Sequence, residues 1–450
     1  MIESKIPQNK LMPIALGFKG KKFIDSTKNL MGLGLNLLLL VATMRSVQAA
    51  SENARNADEF VDSIGVNTHL YYDSSVYYQK YDSLIKPKLQ QLGVRHIRDG
   101  ATRNLNGYMD RLKELETLGI RSTLICDPRD ITPQAAVSLV KELGTNVVEA
   151  VQGTNEYNLS GDGNWVNNLR NYQQQLYTAI NNNSVTENVQ VYGPALSGGG
   201  AYNAIGDLSA YVDYGTMNNY FSGRNPGNGG WGDDGYGSLD WNVRNAKKAS
   251  VSRQIITTET GYHSVVSTND GHRGVPEDVS AKYTPRLLLE QFNYGIPRTF
   301  LYELINVSPN PNSLYNNFGL LRDDGSEKPA FVAVKNLIGL LKDPGSTFTP
   351  GALDYFLGGN TANINHTLLQ KRDGRFYLIL WKEVASFNVD TRQTINVSSQ
   401  KVSLTLNTAI AKATIYIPND SPNSTSQQTY PKTLDIDVSD RPVVIELAKS

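Results

Sequence analysis

The chain has 450 residues, of which 40% are hydrophobic and 19% are charged, with 43 basic and 43 acidic side chains. This length and composition, without a long polar tract, predict a globular protein of about two domains. The single cysteine, Cys126, excludes an intramolecular disulfide and a cysteine zinc site, and the five histidines lack the spacing of a metal-binding helix. We therefore expect no metal and no cofactor.

Residues 1–49 have the features of an export signal. An apolar block at 31–44 follows a stretch with several lysines and leads to the small residues Val47 and Ala49. The block is too short for a membrane span, which needs about 20 apolar residues. Removing this segment takes away seven basic and two acidic residues, which leaves 36 and 41 and a net charge of −5. We expect a secreted or periplasmic monomer with no membrane span and no nucleic-acid partner.

Between residues 58 and 343 the sequence alternates short β-like runs with segments of helical spacing, which is typical of successive βα units. Eight runs are predicted strands, at 63–69, 94–98, 121–126, 147–153, 190–194, 212–218, 254–259 and 298–304. Helices are predicted at 109–118, 132–143, 165–181, 281–294 and 329–341. Eight strands in about 280 residues indicate a (β/α)₈ TIM barrel. A doubly wound sheet is the alternative, but no Gly-rich phosphate loop follows the first run.

The pattern changes after residue 343. From 347 to 450 short alternating runs separated by turn residues predict a smaller antiparallel β-sandwich domain. Within the barrel, the longest stretch without helical or strand spacing is 221–237, which contains seven glycines and Trp231. Because this stretch follows the sixth run, we expect it on the catalytic face of the barrel.

Two glutamates suggest acid/base chemistry. Glu156 follows Asn155 just after the fourth run, and Glu259 ends the seventh run. The carboxyl ends of all barrel strands meet at one rim, where the fourth and seventh strands lie almost opposite each other. Cleavage of a glycosidic bond needs such a pair, one carboxylic acid and one carboxylate. Alternatively, a strand-end acid caps the next helix or pairs with an arginine.

Asn155-Glu156 and Glu259, at the ends of strands four and seven, resemble the signature of clan A glycoside hydrolases. The stretches FGLL (318–321), DG (324–325) and KPAF (328–331) also resemble the segment between the last strand and last helix in several of its families. The resemblance covers residues 58–450. It implies a retaining (β/α)₈ enzyme in which Glu156 is the acid/base and Glu259 the nucleophile.

The resemblance also implies substrate-binding residues. Arg98 matches an arginine that hydrogen-bonds the nucleophile, Tyr220 matches a tyrosine with a similar part, and Asn155 would orient the sugar 2-hydroxyl. Many clan members have a tryptophan at the end of strand eight, where this chain has Tyr302 and Glu303. From the residues themselves, His69 is a candidate donor to a sugar hydroxyl, and Trp231 is a candidate stacking platform in a rim loop.

These observations predict an exported retaining glycoside hydrolase that acts on a β-linked polysaccharide or oligosaccharide. The negative charge of Glu259 should raise the pKa of Glu156, so that Glu156 holds a proton near neutral pH. Two alternatives stay open: a transglycosylase with the same glutamates, and a catalytically silent, carbohydrate-binding or wall-associated barrel. A serine hydrolase is disfavoured because the chain has no Gly-x-Ser-x-Gly motif.

Overall fold

A computed structural model describes residues 50–308 and 310–450. The predicted export signal, residues 1–49, lies outside the described residues. Within the described ranges, none of the helices combines the length and the apolar character needed to cross a membrane.

Eight parallel strands form the barrel, and their order around it follows the chain. They are Ile64–Asn67, His96–Gly100, Arg121–Ile125, Val148–Gln152, Gln190–Tyr192, Gly215–Asn218, Ile255–Thr260 and Thr299–Leu301. Backbone hydrogen bonds join the fifth and sixth strands, from Gly193 N to Tyr214 O (2.8 Å) and from Asp213 N to Val191 O (2.7 Å). The sheet thus closes on itself, which confirms the predicted (β/α)₈ barrel and excludes the doubly wound alternative.

The helices around the barrel bury one apolar face against the strands. They are Ala57–Asp62, Lys86–Leu92, Tyr108–Thr117, Pro133–Leu143, Trp165–Asn181, Gly199–Ile205, Leu239–Ala249, Glu277–Tyr294 and Pro329–Leu341. In Trp165–Asn181 the buried residues Leu169, Leu176 and Ile180 are spaced by helical turns. The helix at Leu239–Ala249 was not predicted. Ser238 caps it by accepting a hydrogen bond from Trp241 N at 3.1 Å.

The interior of the barrel is a packed core. Ala150, Tyr192, Ile256 and Phe300 fill one layer. Phe300 lies so close to Gly65 that a Cβ there would be 2.4 Å from the ring, so this position needs glycine. Because the centre is filled, the barrel has no open channel, and the rim at the carboxyl ends of the strands is the place where a barrel of this kind binds its ligand.

The second part of the chain is an antiparallel β-sandwich, as predicted. Its strands are Ala352–Gly359, Ile364–Gln370, Phe376–Lys382, Gln400–Leu406, Ile410–Tyr416, Ser424–Thr429, Thr433–Val438 and Val443–Lys449, with a small hairpin of Phe387–Asn388 and Gln393–Thr394. Two short strands that precede the barrel also belong to it: Ala50–Asn53 pairs with Ala352–Gly359, and Arg55–Asn56 pairs with Ile364–Gln370. The sandwich is therefore built from both ends of the described chain.

Buried charges join the barrel to the sandwich. Arg286, fully buried on helix Glu277–Tyr294, forms an ion pair of 2.7 Å with Glu383, which follows a sandwich strand. Glu290, one helical turn further on, and Glu383 both accept a hydrogen bond of 3.1 Å from Trp381 Nε1. Burial first, and then the negative charge of Glu383, raise the pKa of Glu290 to about 7. The two carboxyl groups therefore share the Trp381 donor, and Arg286 is ion-paired with Glu383.

Replacing Glu290 with glutamine should stabilise the protein above neutral pH. Since the pKa of Glu290 rises on folding from 4.5 to about 7, its contribution to stability is fully present below 4.5 and is lost as the pH rises through 7. The variant should exceed the wild type by about 3 kcal/mol in unfolding free energy at pH 8, and the difference should vanish near pH 4.5. Urea denaturation at both pH values measures this.

Asp278→Asn, which changes an exposed carboxyl group on the same helix, is the control and should change stability by less than about 0.5 kcal/mol. A pH-independent effect of Glu290→Gln would contradict the assignment.

Candidate active site

Glu156 and Glu259 lie at the carboxyl-terminal rim of the barrel. Glu259 is the last residue but one of strand Ile255–Thr260, and Glu156 comes four residues after strand Val148–Gln152. Three side chains, those of Arg98, Asn155 and Asn218, connect them. Arg98 donates hydrogen bonds to Glu259 and Asn155, and Asn218 donates hydrogen bonds to Asn155 and Glu156. The structure thus brings both predicted glutamates into one hydrogen-bonded group.

Arg98 is the centre of this group and is only 1% exposed. Its Nη1 donates to Glu259 Oε1 at 2.9 Å and to Asn67 Oδ1 at 2.7 Å. Its Nη2 donates to Asn155 Oδ1 at 3.0 Å, and its Nε donates to Gln152 Oε1 at 2.6 Å. One buried cation therefore orients residues from the first, fourth and seventh strands, and it supplies a charge-assisted bond to Glu259.

Glu259 has a second donor. The Tyr220 hydroxyl donates to its Oε2 at 3.0 Å, while Arg98 occupies Oε1. The ring of Tyr220 packs edge-on against Phe318, with centroids 5.4 Å apart. Both oxygens of Glu259 are thus held by donors, which is the arrangement that favours an ionised carboxylate in a fixed orientation.

Glu156 is held by its backbone as well as its side chain. Its φ and ψ are 49° and 35°, in the left-handed region that non-glycine residues seldom adopt. Backbone bonds to the end of the fifth strand enforce this conformation, from Glu156 N to Ala195 O (2.8 Å) and from Ala195 N to Thr154 O (3.0 Å). Such strain costs on the order of 1–3 kcal/mol and is typical of functional sites.

The pKa of Glu156 is raised to about 7. Burial is the largest cause and the negative charge of Glu259 the second, while the Asn218 hydrogen bond and the charge of Arg98 act in the opposite direction. From the sequence, only the charge of Glu259 was expected to raise this pKa, whereas burial contributes more. One carboxyl group therefore keeps a proton near neutral pH beside a second that is held as a hydrogen-bond acceptor, which is the pairing needed for acid and nucleophile roles.

Asn218, Asn67 and Gln152 were not among the predicted site residues. Asn218 Nδ2 lies 3.2 Å from Asn155 Oδ1 and 3.0 Å from Glu156 Oε1, and its Oδ1 accepts from Thr258 Oγ1 at 2.9 Å. All three are polar residues at the last position of a barrel strand. Their position at strand ends could have marked them as candidates. It does not show which of the many strand-end amides would join the group around Arg98.

The predicted residues His69 and Glu303 form a pair, with His69 Nε2 3.1 Å from Glu303 Oε2. Tyr77 OH donates to the same oxygen at 2.9 Å. Burial alone lowers the pKa of His69, but the hydrogen bond and charge of Glu303 outweigh it and the pKa is raised. Glu303 has no exposed surface, and its predicted part in substrate binding stays a prediction. It supports His69, which is 20% exposed at its side chain.

Tyr302 and Trp231 occupy different places. Tyr302 packs edge-on against His69 and Phe318, with centroid distances of 5.7 and 5.6 Å, so it lies beside the carboxylates. Trp231 contacts Arg224 and Tyr236, members of its own loop. The structure therefore brings Tyr302 into the group around Arg98, whereas the described contacts of Trp231 stay within the loop and its stacking role stays a prediction.

A metal site is not evident in the described part of the chain, where no three His, Cys, Asp or Glu side chains are grouped to hold an ion. A shallow cavity of about 600 Å³ exists elsewhere, lined by residues such as Gly227, Asp240 and Tyr294. It contains neither glutamate of the pair.

The sequence matches no protein-family model and no curated protein. Solved structures are similar. A family 39 glycoside hydrolase from Bacteroides cellulosilyticus WH2 aligns with a TM-score of 0.59 at 17% identity, over 87% of this chain and 82% of the other. A glucosidase from Croceicoccus marinus aligns with a TM-score of 0.60 at 10% identity, over 89% and 98%. An endo-β-1,6-glucanase aligns with a TM-score of 0.50 at 13% identity, over 89% and 93%. At these identities the likeness shows the fold, a barrel with an appended sandwich.

Replacing Glu259 with glutamine should lower the pKa of Glu156. The negative charge disappears, but burial remains, so the pKa should fall from about 7 and stay above 4.5. Carboxyl-carbon NMR of protein labelled at glutamate measures it, with Glu156→Gln/Glu259→Gln identifying the resonance. The control is Asp127→Asn, which removes another strand-end carboxylate, one paired with Arg129, and should leave the titration of Glu156 unchanged. An unchanged pKa in Glu259→Gln would mean that the two carboxyl groups do not interact.

Proposed function

We propose that the chain is a retaining glycoside hydrolase that cleaves β-linked polysaccharide or oligosaccharide, with Glu156 as acid/base and Glu259 as nucleophile. The observation that carries the proposal is the pair itself: a glutamic acid with a pKa of about 7 beside a glutamate that accepts from Arg98 and Tyr220. The similar structures named as a glycoside hydrolase, a glucosidase and a glucanase agree with this chemistry.

In the first step Glu259 attacks the anomeric carbon, the bond from that carbon to the glycosidic oxygen breaks, and the proton of Glu156 passes to the leaving oxygen. The product is a glycosyl ester of Glu259. Esterification removes the negative charge that helps to raise the pKa of Glu156, so Glu156 then exists as a carboxylate. It takes a proton from water, the hydroxide adds to the anomeric carbon, and the ester bond breaks to restore both groups.

Asn155 is proposed to bind the sugar 2-hydroxyl. Its Oδ1 accepts from Arg98 Nη2 and from Asn218 Nδ2, which fixes the orientation of the amide and leaves Nδ2 as its donor to a ligand. Such a bond can strengthen in the transition state and contribute several kcal/mol. His69, partly exposed and held by Glu303, is proposed as a second donor to a sugar hydroxyl.

Export is part of the proposal. Cleavage after Ala49 leaves intact the strand Ala50–Asn53, which pairs with Ala352–Gly359 in the sandwich. The processed protein would act outside the cytoplasm, where polysaccharide substrates are found.

The two glutamates should respond differently to the leaving group. Glu156→Gln should lose about 10³-fold or more in kcat/KM on a natural glycan and much less in kcat/KM on an aryl glycoside, because kcat/KM reports the first step and an aryl leaving group needs no proton. Glu259→Gln should lose about 10³-fold or more on both substrates. Reducing-sugar release and chromophore release measure these rates. Asp127→Asn, the matched strand-end control, should keep activity within about threefold.

Four outcomes would contradict the proposal or redirect it. If neither glutamate variant loses activity, the assigned roles are wrong. If the first product anomer seen by NMR is inverted, the two carboxylates do not act by double displacement. Binding of every glycan tested without turnover would favour the silent barrel, and transfer to a sugar acceptor in place of water would favour the transglycosylase.

A further inference from the structure

The loop 221–237 begins directly after Tyr220, whose hydroxyl bonds Glu259. Seven of its 17 residues are glycine, and its only regular element is a single turn at Asp233–Gly235. Glycine-rich backbone loses more conformational entropy on ordering than other sequences do. The position of this loop, and of the tyrosine that precedes it, therefore depends on contacts made from outside the loop.

Glu383 of the sandwich supplies such contacts. Its Oε1 accepts from Asn225 Nδ2 at 2.7 Å and from Gly227 N at 2.9 Å. A Cβ on Gly227 would lie 2.5 Å from Glu383 Cγ, so the close approach requires glycine. Glu383 is itself held by the fully buried Arg286 at 2.7 Å. The loop is thus attached to a rigid, charge-paired group outside the barrel.

A second set of contacts comes from the sandwich hairpin. Arg392 donates to Ser267 O at 3.1 Å and to Thr268 O at 3.3 Å, in the loop that follows Glu259 and the seventh strand. The two loops are also joined to each other, because Tyr262 OH donates to Arg224 O at 2.8 Å. Residues 383–392 therefore contact the loops next to both Tyr220 and Glu259.

We propose that Glu383 is a positioning residue: through Asn225 and Gly227 it fixes the loop 221–237 and thereby holds the Tyr220 hydroxyl on Glu259. The β-sandwich is then part of the framework of the active site and not only a companion domain. This inference rests on the proposed function for its effect on turnover, whereas its structural part does not need a substrate.

Asn225→Ala tests the inference on the loop side, because it removes one bond to Glu383 and leaves the buried pair of Arg286 and Glu383 intact. We expect amide hydrogen exchange of peptides within 221–230 to become about tenfold faster. We also expect kcat to fall about tenfold with KM within about twofold, because a misplaced Tyr220 affects the reacting carboxylate and not the binding of the glycan.

Asp440→Asn is the matched control. It weakens the 2.9 Å ion pair between Lys282 and Asp440, another contact of helix Glu277–Tyr294 with the sandwich, without touching the loop. It should lower Tm but leave the exchange of 221–230 and kcat within about twofold of the wild type.

The possible results distinguish the attachment of the loop by Glu383 from its effect on turnover. Unchanged exchange in Asn225→Ala overturns the attachment of the loop. Faster exchange with unchanged kcat overturns the positioning role. If the wild type cleaves no glycan, the proposed function fails, and the exchange comparison still decides whether Glu383 holds the loop. Equal losses of kcat in both variants would indicate general destabilisation and would also overturn the inference.

Discussion

The arrangement of the site depends on one buried cation, Arg98. A guanidinium that is 1% exposed is costly to bury unless every donor is satisfied and its charge is balanced. Three amide oxygens satisfy its donors and the carboxylate of Glu259 balances its charge. The rim of the barrel is therefore built around this residue, and its need for a partner of opposite charge fixes the position of Glu259.

The same requirement separates the behaviour of the two glutamates. Glu259 accepts hydrogen bonds from Arg98 and Tyr220. Glu156 accepts one from the neutral amide of Asn218 and is buried close to the negative charge of Glu259. Chemically identical side chains thus have different surroundings: burial, and then the negative charge of Glu259, raise the pKa of Glu156 to about 7, whereas Glu259 accepts hydrogen bonds from an arginine and a tyrosine. The proposed reaction uses this difference directly, since each covalent step changes the charge that one glutamate presents to the other.

A second buried arginine has a similar part outside the barrel interior. Arg286 pairs with Glu383 and joins the sandwich to the helix that follows the strand of Glu259. Glu383 in turn binds the glycine-rich loop after Tyr220. Both arginines tie together segments far apart in the chain, so the catalytic rim and the barrel–sandwich contact are stabilised by the same kind of interaction.

The sequence alone was sufficient for the barrel, the sandwich and the two glutamates, because strand and helix periodicity is local and the carboxyl ends of barrel strands must meet. Asn155, Arg98 and Tyr220 followed from resemblance. The contacts of Asn218 and Gln152 in the site, and those of Glu303 with His69 and Tyr77, could not be predicted in this way. Which strand-end side chains touch depends on strand stagger and on rotamers. The same holds for the joining of Ala50–Asn53 to the sandwich and of Glu383 to the loop. Such long-range pairings leave no local pattern, so only the tertiary structure decided them.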